Sequence, residues 1–554
     1  METSAQIPLS QSDLIEKSIR RCLEALGLDL SDQPIHVERT ARLELGDFFT
    51  NCAMVNAKNL GQQPRQLALR LAQQIEKESF PNLARVEVAG PGFINFFLEP
   101  SWLHQSLRRV IEQGEGTYAR ADIGGGERVQ IEFVSANPTG PLHVGNGWLC
   151  SFGDTLSRLL DWCGWNVTKE YYVNDTGNQI RTLGMSLLAH CEGRAVPEGG
   201  YKGQYVAELA KKYLDESKSA NSSLDLSDEL VAGKWAGEKI LANIRGSLSR
   251  LGIEFDVWFS QAEIEEGGAT AQTIEYLSVK DLVYEKDGAI WLNSISLGDT
   301  RDRVLVKSNG DVTYLGGDIA YHRNKFLVRN FDRVIDIFGA DHHGQVASLR
   351  CAIQALGVDP SRLEIYLGQM VSLADKKMSK RDGNFVSLDE LLDDIGEDAF
   401  RFLSLAKSIN ESTTLDLDLV RSKSMDNPVY YVQYAHARIA SIERVRQERG
   451  IDRSEIETVD LSCLVHPREL DLIRSIEELP EVIADCARLR EPFKITNQSR
   501  KIADRFHSFY HDCHVIGESV PPELTQARLW LVEACRIALA ISLGLLGVSL
   551  PDSM

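Results

Sequence analysis

The sequence predicts an α/β protein with three parts: a parallel-sheet middle region, a smaller amino-terminal α/β unit and a carboxy-terminal bundle of helices. Three observations predict this class. Between residues 129 and 173 a short apolar strand, a helix and a second strand follow one another, which is the order that builds a parallel sheet. Two strand-like runs before residue 100 meet at the turn sequence Gly90-Pro91-Gly92. From about residue 415 onward, apolar residues recur at helical spacing.

Changes in composition along the chain predict the domain limits. The expected domains are an α/β domain at residues 1–123, a sheet-based domain at 124–414 with a more polar insertion at about 185–300, and an all-α helical domain at 415–554. The first limit falls at a run of three glycines that begins at Gly124. In the last domain, Asn427 followed by Pro428 predicts a helix start, because a polar cap precedes proline at the first turn.

Charge and composition exclude several classes of protein. The 554 residues are 43 % hydrophobic and 25 % charged, which is typical of a folded globular chain. The net charge is −20, so a polyanion must bind at a local basic patch. Ten cysteines without a C-x-x-C pair argue against a zinc ribbon and favour the reduced thiols of the cytoplasm. The start of the chain has Glu2 and no apolar stretch, and the apolar run at 537–550 is shorter than a membrane span. We therefore expect no signal peptide, no membrane contact and a cytoplasmic location.

The first motif that indicates chemistry is His143-Val144-Gly145-Asn146, where a predicted strand has ended and a helix begins. Unpaired backbone N–H groups at a helix start bind phosphate, and glycine lets a nucleotide approach the backbone closely. His143 and Asn146 are three residues apart, so they project from the same side of the first turn. The segment lacks the lysine of a P-loop, and no G-x-G-x-x-G motif occurs. Taken alone, a His-x-Gly turn is more often structural than functional.

The second motif is Lys376-Lys377-Met378-Ser379-Lys380-Arg381, in which four of six residues are basic. By itself such a run is compatible with a solvated basic loop. Paired with His143 at the same predicted sheet, it predicts a cationic loop that closes over a triphosphate. Attack on the α-phosphate needs positive charge on the phosphoryl oxygens and on the departing pyrophosphate.

These two motifs resemble the signatures of class I aminoacyl-tRNA synthetases, and their surroundings resemble the arginyl-tRNA synthetases. The segments that carry this resemblance are EFVSANPTGPLHVG, EYYVNDTGNQI, GADHHG, DNPVYYVQYAHAR, GDFFTNCAMVNAK, GPGFINFFLEP and the terminal LLGVSLPDSM. The resemblance implies a Rossmann-like catalytic domain, an additional amino-terminal domain on the D-loop side of tRNA, and a helical anticodon-binding domain.

The resemblance also implies an activity. The expected enzyme is an ATP-dependent arginine–tRNA ligase that forms arginyl-adenylate, transfers arginine to the 3′ end of tRNA(Arg) and releases AMP and pyrophosphate. The implied partners are tRNA(Arg), L-arginine and ATP with Mg²⁺, bound by a monomer. The implied catalytic residues are His143, Asn146, Lys377 and Lys380. The implied ATP-binding residues are His143, Gly145, Asn146, Met378, Ser379 and Lys380.

Arginine recognition needs a carboxylate, because a guanidinium stays charged and offers a planar fork of donors. Asp318 matches the family's charge partner, and Tyr314 matches the aromatic wall of the pocket. Asn137 matches the position that holds the α-amino or carboxylate group, and His342 follows a predicted strand at the ligand-binding edge of the sheet. Without the family context, an Asp–Tyr pair four residues apart is compatible with a surface helix.

The carboxy-terminal region supplies the expected tRNA contacts. Tyr430, Tyr434 and Arg438 recur every four residues and form a stripe that can stack unpaired bases and contact phosphate. Packing of the tyrosines at a helix interface is the alternative interpretation.

Two groups of residues could suggest a metal site, but the sequence favours neither. Asp341-His342-His343 is compatible with a metal phosphoesterase, but no further Asp/His cluster accompanies it. His507, His511, Cys513 and His514 lie among core-type apolar residues, which favours a packed helix. We therefore expect no protein-held metal.

The sequence departs from the family pattern at two positions. Asn146 stands where the family usually has histidine, and an amide cannot carry a proton's charge, which predicts a retained but slower activation step. Gln261 stands where the family often has an acid. Two rival functions follow: a non-catalytic tRNA-binding paralogue, and a nucleotidyltransferase that adenylates a small acid without tRNA.

Overall fold

The computed structural model describes residues 11–28, 35–40, 42–78, 80–218, 224–369, 371–373 and 386–554. The chain divides into two compact units, each made of separate segments. Residues 1–118, 446–477 and 505–537 form the first unit, and residues 119–445, 478–504 and 538–554 form the second. The predicted domain limits at 123/124 and 414/415 stay a prediction.

The amino-terminal part of the chain alternates helices with short strands. Its elements are α1 (Gln11–Ala25), β1 (Val37–Arg39), β2 (Phe48–Thr50), α2 (Cys52–Asn56), α3 (Pro64–Glu78), β3 (Leu83–Ala89), β4 (Phe93–Leu98) and α4 (Ser101–Thr117).

The middle part contains the longer strands and the helices that connect them. Its elements are β5 (Arg128–Glu132), α5 (Val144–Trp162), β6 (Asn166–Val173), α6 (Gly177–Cys191), α7 (Gln204–Ser217), α8 (Glu229–Arg250), β7 (Val257–Ser260), α9 (Gln261–Glu266), α10 (Ala269–Ser278), β8 (Val283–Lys286), β9 (Ala289–Leu292), β10 (Arg303–Val306), α11 (Tyr314–Arg323), β11 (Arg333–Gly339), α12 (Val346–Ala355), β12 (Leu363–Gly368) and β13 (Val371–Leu373).

The last part is mainly helical. Its elements are α13 (Leu388–Ile395), α14 (Glu397–Ser404), β14 (Thr413–Leu415), α15 (Leu417–Arg421), α16 (Pro428–Glu448), α17 (Pro467–Glu477), α18 (Leu479–Leu489), α19 (Phe493–Asp512) and α20 (Pro522–Leu546).

In the first unit, a four-stranded antiparallel sheet with the order β1-β2-β4-β3 packs against helices. The strands β3 and β4 form the hairpin predicted at the Gly-Pro-Gly turn. Ile15 and Ile19 on α1 and Leu67 and Ile75 on α3 are fully buried at their helical spacing. The amino-terminal segment is also tied to the carboxy-terminal segment of the same unit, since the Tyr118 hydroxyl donates to the Ile476 carbonyl at 2.9 Å.

The second unit is built on a five-stranded sheet with the order β12-β11-β5-β6-β7. Every neighbouring pair in this sheet is parallel. The chain leaves the central strand β5 in one direction through α5 to β6, and β11 lies on the other side of β5. The predicted strand–helix–strand at 129–173 and the Rossmann-like fold class are confirmed. The edge strand β7, which lies within the predicted insertion at 185–300, was missed by the sequence analysis.

A buried ion pair joins helix α5 to helix α14. Asp154 on α5 and Arg401 on α14 are at most 1 % exposed, and the guanidinium donates to the Asp154 carboxylate at 2.7 Å. Arg401 also donates to the carbonyls of Leu251 and Leu546 at 2.8 and 2.7 Å. Burial alone would raise the pKa of Asp154, but Arg401 and two further cations outweigh it and lower this pKa. The ion pair fixes the position of α5, and the amino-terminal end of this helix carries the first motif.

One helix in the described chain, α20, is long and apolar enough to cross a membrane, with a mean hydropathy of 1.9. Within its most apolar stretch, 78 % is buried against the rest of the protein. Residues such as Leu531, Leu539 and Leu543 have no exposed surface. The helix has the burial of a core helix, as expected for the apolar run at 537–550.

Candidate active site

The amino-terminal end of α5 carries the first motif. His143 is the N-cap of this helix and has an extended backbone (φ −103°, ψ 169°). Its Nδ1 atom accepts a hydrogen bond from the backbone N–H of Asn146 at 3.1 Å, and the Asn146 Oδ1 atom accepts one from the backbone N–H of His143 at 3.2 Å. This is a capping box in which histidine and asparagine replace the usual serine and glutamate. Because Nδ1 is an acceptor, the neutral imidazole carries its proton on Nε2.

Two glycines allow close packing in the first turn of α5. A Cβ atom at Gly145 would lie 3.1 Å from Cε1 of His143 and 3.2 Å from its Nδ1. A Cβ atom at Gly147 would lie 2.6 Å from the side chain of Leu388 and 2.7 Å from that of Phe400. Gly145 therefore makes room for the His143 imidazole, and Gly147 lets α13 and α14 pack against α5.

The lysine motif itself lies outside the described residues, which end at 373 and resume at 386. The predicted residues that fall there are Lys377, Met378, Ser379 and Lys380. The chain that follows the motif is described: Ser387 forms an antiparallel bridge with His143, and the Leu388 N–H donates to the Leu142 carbonyl at 2.8 Å. The chain that resumes after the second motif therefore contacts the first motif, and Ser387 lies six positions beyond Arg381.

The loop between β5 and α5 contains Asn137. Ser135 has a φ of +37°, a left-handed conformation that is costly for a residue with a Cβ atom. Its hydroxyl donates to Glu132 at 3.0 Å and accepts from the Tyr172 N–H at 3.1 Å. The Asn137 amide donates to Gln179 on α6 at 2.8 Å. The loop is thus fixed by both the sheet and α6.

Helix α11 carries Tyr314 and Asp318 one turn apart. Tyr314 is 78 % exposed. Among the described residues, nothing donates a hydrogen bond to the Asp318 carboxylate or forms an ion pair with it. Loss of solvent raises the pKa of Asp318 to about 6, and the nearby charges of Glu132 and Asp336 contribute to the rise. At neutral pH the carboxylate is ionised and available to a cationic ligand.

A row of three buried carboxylates crosses the centre of the sheet beside Asp318. Asp336 on β11, Glu132 on β5 and Glu170 on β6 lie in register on neighbouring strands. Each is at most 5 % exposed. Side chains in register on parallel strands point to the same face of the sheet. Because buried charges must be paired, cations on that face are needed to balance the three acids.

Lys325 supplies the central counter-charge. Its ammonium is fully buried and donates to Glu132 at 2.7 Å and to Asp336 at 2.8 Å. The Nε2 atom of His322 lies 2.8 Å from the other oxygen of Asp336. Burial raises the pKa of Glu132 in spite of Lys325, whereas Lys325 and His322 outweigh burial at Asp336 and lower its pKa. The two carboxylates keep the pKa of Lys325 above its usual value despite burial.

The third acid of the row is bound in the same way. Glu170 accepts hydrogen bonds from the Tyr321 hydroxyl and from the guanidinium of Arg329. Lys325 lies in a single π-helical turn, Asn324–Val328, that continues α11, and such turns are frequent at functional sites. The helix that carries Asp318 is therefore held over the sheet by polar pairs, which fixes the position of its carboxylate.

His342 lies in a 3₁₀ turn, Ala340–Gln345, directly after β11. Its ring stacks on Phe338 at a centroid distance of 5.3 Å, and its Nδ1 lies 3.2 Å from the Gln345 side chain. His143 follows β5 and His342 follows β11, and the chain proceeds from these adjacent strands in opposite directions across the sheet. Open α/β sheets bind ligands at such a switch point.

The predicted tRNA-binding stripe lies on α16, away from the strand ends in sequence. The rings of Tyr430 and Tyr434 are stacked with centroids 5.9 Å apart and an interplanar angle of 15°. The Arg438 guanidinium lies 4.5 Å from the Tyr434 centroid. All three side chains are half-buried. Two aromatic faces and a cation thus form one ordered ladder along the helix.

Sequence reasoning missed the carboxylate row and its partner Lys325. The available signal was an acid within each of three strand segments, at Glu132, Glu170 and Asp336. This signal does not by itself indicate a cluster, because the strand register that aligns the three acids is a property of the tertiary structure. Gln261, at the family's acidic position, donates to Glu265 at 2.7 Å.

The fold, the switch point and the capped helix start define a class I aminoacyl-tRNA synthetase. Comparison with known families agrees: residues 111–439 match the family model described as "tRNA synthetases class I (R), catalytic domain". Residues 13–98 match "Arginyl tRNA synthetase N terminal domain", and residues 432–554 match "DALR anticodon binding domain".

Individual relatives specify the family. The arginine–tRNA ligase of Moorella thermoacetica is 44 % identical over 526 residues, which cover 92 % of each chain. That of Carboxydothermus hydrogenoformans is 42 % identical over 552 residues, which cover 98 % of each. The arginyl-tRNA synthetase structure from Thermus thermophilus, 21 % identical, shares the fold with a TM-score of 0.79 over 98 % of this chain and all of that one. This chain belongs to the arginyl-tRNA synthetase family.

Proposed function

We propose that the chain activates L-arginine with ATP at the carboxyl edge of the parallel sheet and transfers it to the 3′ end of tRNA(Arg). Arginine–tRNA ligase activity is the activity of the family to which the chain belongs. The observation that carries the assignment to this edge is Asp318, a carboxylate that is ionised at neutral pH and has no partner among the described residues.

In the first step, the arginine carboxylate attacks the α-phosphate of ATP and pyrophosphate leaves. No covalent bond to the protein forms, so positioning and electrostatic stabilisation determine the rate. We assign the Nε2–H group of His143 as a donor to a phosphate oxygen, because the capping box commits Nδ1 as an acceptor. Gly145 and Asn146 complete the helix start at which the triphosphate binds.

The lysine motif supplies the positive charge on the other side of ATP. We assign Lys377 and Lys380 to the phosphates and Met378 and Ser379 to ATP binding. Their support is the bridge between Ser387 and His143, because it brings a residue six positions beyond Arg381 to the proposed phosphate site.

Arginine is held at both of its ends. Asp318 accepts from the guanidinium and Tyr314 covers it, while Asn137 and His342 face the α-amino and carboxylate groups from the two strands of the switch point. The charge balance favours a cationic ligand, since the three acids of the row and Asp318 outnumber the two cations that pair with the row, Lys325 and Arg329.

ATP brings Mg²⁺ as a phosphate-bound ion in this proposal. Within the described ranges, no group of three or more His, Cys, Asp or Glu side chains is arranged to hold a metal. The stacked Tyr430, Tyr434 and Arg438 bind unpaired tRNA bases. The enzyme acts as a monomer in the cytoplasm, without contact to a membrane.

The test is arginine-dependent exchange of pyrophosphate into ATP, measured with and without tRNA(Arg), together with charging of the tRNA. Exchange that requires tRNA, followed by charging, supports the proposal. Binding of tRNA without charging would instead identify a non-catalytic paralogue, and full exchange without RNA would identify an enzyme that adenylates a small acid.

A further inference from the structure

The three helices between β6 and β7 form a closely packed support. A Cβ atom at Gly184 on α6 would lie 1.7 Å from the Glu229 carbonyl oxygen, and one at Gly233 on α8 would lie 2.1 Å from the Ile180 carbonyl oxygen. The backbones of α6 and α8 therefore touch at both glycines. Such contacts leave no space for the two helices to shift against each other.

Two hydrogen bonds connect this support to the loop between β5 and α5: the one from Asn137 to Gln179 on α6, described above, and one from a tyrosine on α7. Tyr205, near the start of α7, donates its hydroxyl hydrogen to the Thr139 carbonyl at 2.6 Å. Two glycines make room for the ring: a Cβ atom at Gly203 would lie 2.4 Å from it, and one at Gly140 would lie 3.1 Å from its oxygen. The hydrogen bond is therefore a built contact between α7 and the loop.

The loop needs such a contact because its own backbone is strained. Val134 and Ser135 have φ values of +69° and +37°, and a conformation of this kind persists only when its surroundings enforce it. From the sheet side, the Tyr171 hydroxyl donates to the Ala136 carbonyl at 2.8 Å. Tyr205 provides the matching hydrogen bond on the other side of Asn137.

We propose that Tyr205 is a positioning residue for arginine binding, which holds the loop so that Asn137 faces the substrate. The inference rests on the proposed assignment of Asn137 to arginine. Tyr205 does not touch substrate in this account. Through Tyr205, the packing of helices α6, α7 and α8 influences the affinity of the enzyme for arginine.

The experiment compares Tyr205→Phe with Tyr213→Phe in the full-length enzyme. Tyr213 lies on the same helix and its hydroxyl donates to the Asp225 carbonyl at 2.7 Å, so the control loses an equivalent hydrogen bond away from the loop. The measurements are KM for arginine, KM for ATP and kcat in tRNA charging, with thermal unfolding of each variant. Loss of the Tyr205 hydroxyl should raise KM for arginine about three- to tenfold, the range expected for one hydrogen bond.

The expected pattern is a rise of KM for arginine in Tyr205→Phe alone, while KM for ATP stays near the wild-type value because His143 is held by its own cap. Gly140→Ala, whose methyl group would press on the Tyr205 oxygen, should shift KM for arginine in the same direction. Equal KM values for arginine in Tyr205→Phe and Tyr213→Phe would overturn the inference, as would an equal rise of KM for ATP. A wild-type enzyme that charges no arginine would overturn the proposed function itself, a result visible without any variant.

Discussion

Asp336 and Glu132 stand side by side in register on neighbouring parallel strands, and both accept a hydrogen bond from the single ammonium of Lys325. The same helical segment that supplies Lys325 also carries Asp318, the proposed partner of the substrate guanidinium. The sheet thus positions the proposed arginine site through charge as well as through apolar packing.

Lys325→Met should destabilise the protein strongly. The substitution leaves Glu132 buried without its cation and Asp336 with His322 as its remaining partner, and breaking a buried pair in this way costs about 3–5 kcal/mol. Urea unfolding followed by circular dichroism measures the change. Lys286→Met is the matched control, because Lys286 is an exposed lysine on β8. Equal free energies of unfolding for the two variants would contradict the role given to Lys325.

Arginine binding should weaken as the pH falls through about 6. The raised pKa of Asp318 means that its carboxylate becomes protonated below this pH and no longer attracts a guanidinium. The affinity should then fall about tenfold per pH unit. Calorimetric titration of arginine between pH 5 and pH 8 measures the profile. An affinity that is flat across this range in the wild type would be incompatible with Asp318 as the charge partner.

Asp318→Asn should raise the free energy of unfolding of the ligand-free protein at pH 8. Because folding raises the pKa of this carboxyl from 3.8 to about 6, its stabilising contribution is full below pH 3.8 and is lost as the pH rises through 6. The amide avoids this loss, and with a discount for partial solvent exposure the gain is about 1–2 kcal/mol. Denaturant unfolding at pH 8 and pH 5 should show a larger gain at pH 8. If Asp318→Asn were less stable than the wild type at pH 8, the predicted direction of the change in the free energy of unfolding would be wrong.

Gly145→Ala should slow activation while the fold persists. The added methyl group would lie 3.1 Å from the His143 ring, so the imidazole must shift by a few tenths of an ångström in the capping box. We expect kcat for pyrophosphate exchange to fall about 10- to 100-fold, less than the roughly 100- to 1,000-fold cost of losing such a donor altogether. Gly246→Ala on α8 is the control, since its Cβ atom would meet nothing within 4 Å. Similar kcat values for both variants would contradict the role of Gly145 in making room for the His143 imidazole.

Elements with a strong local pattern could be predicted from the sequence. The strand–helix–strand at 129–173 and the hairpin at Gly90-Pro91-Gly92 formed as expected, because each combines clear periodicity with turn residues at its ends. The apolar spacing at about 468–490 predicts one helix, whereas the structure has two, Pro467–Glu477 and Leu479–Leu489. The apolar spacing runs on across Glu478, while Pro480 belongs to the first turn of a new helix.

The parts of the site that depend on neighbouring residues in the sequence could be predicted. The parts that depend on the alignment of separate strands were missed. The three-residue spacing of His143 and Asn146 indicated a shared turn, and the structure adds the reciprocal hydrogen bonds between them. The pairing of Glu132 with Asp336 depends on which strands are neighbours and on their alignment, and no single-strand pattern contains that information. The hydrogen bond of Tyr205 was missed for the same reason, since it joins residues 66 positions apart.

The most direct test of the central claim, that Asp318 selects arginine at the edge of this sheet, is charging of tRNA(Arg) with arginine and with lysine side by side. The wild-type enzyme should charge arginine and reject lysine, and Asp318→Asn should lose most of its kcat/KM for arginine while it still binds ATP. Preserved arginine selectivity in Asp318→Asn would contradict the account.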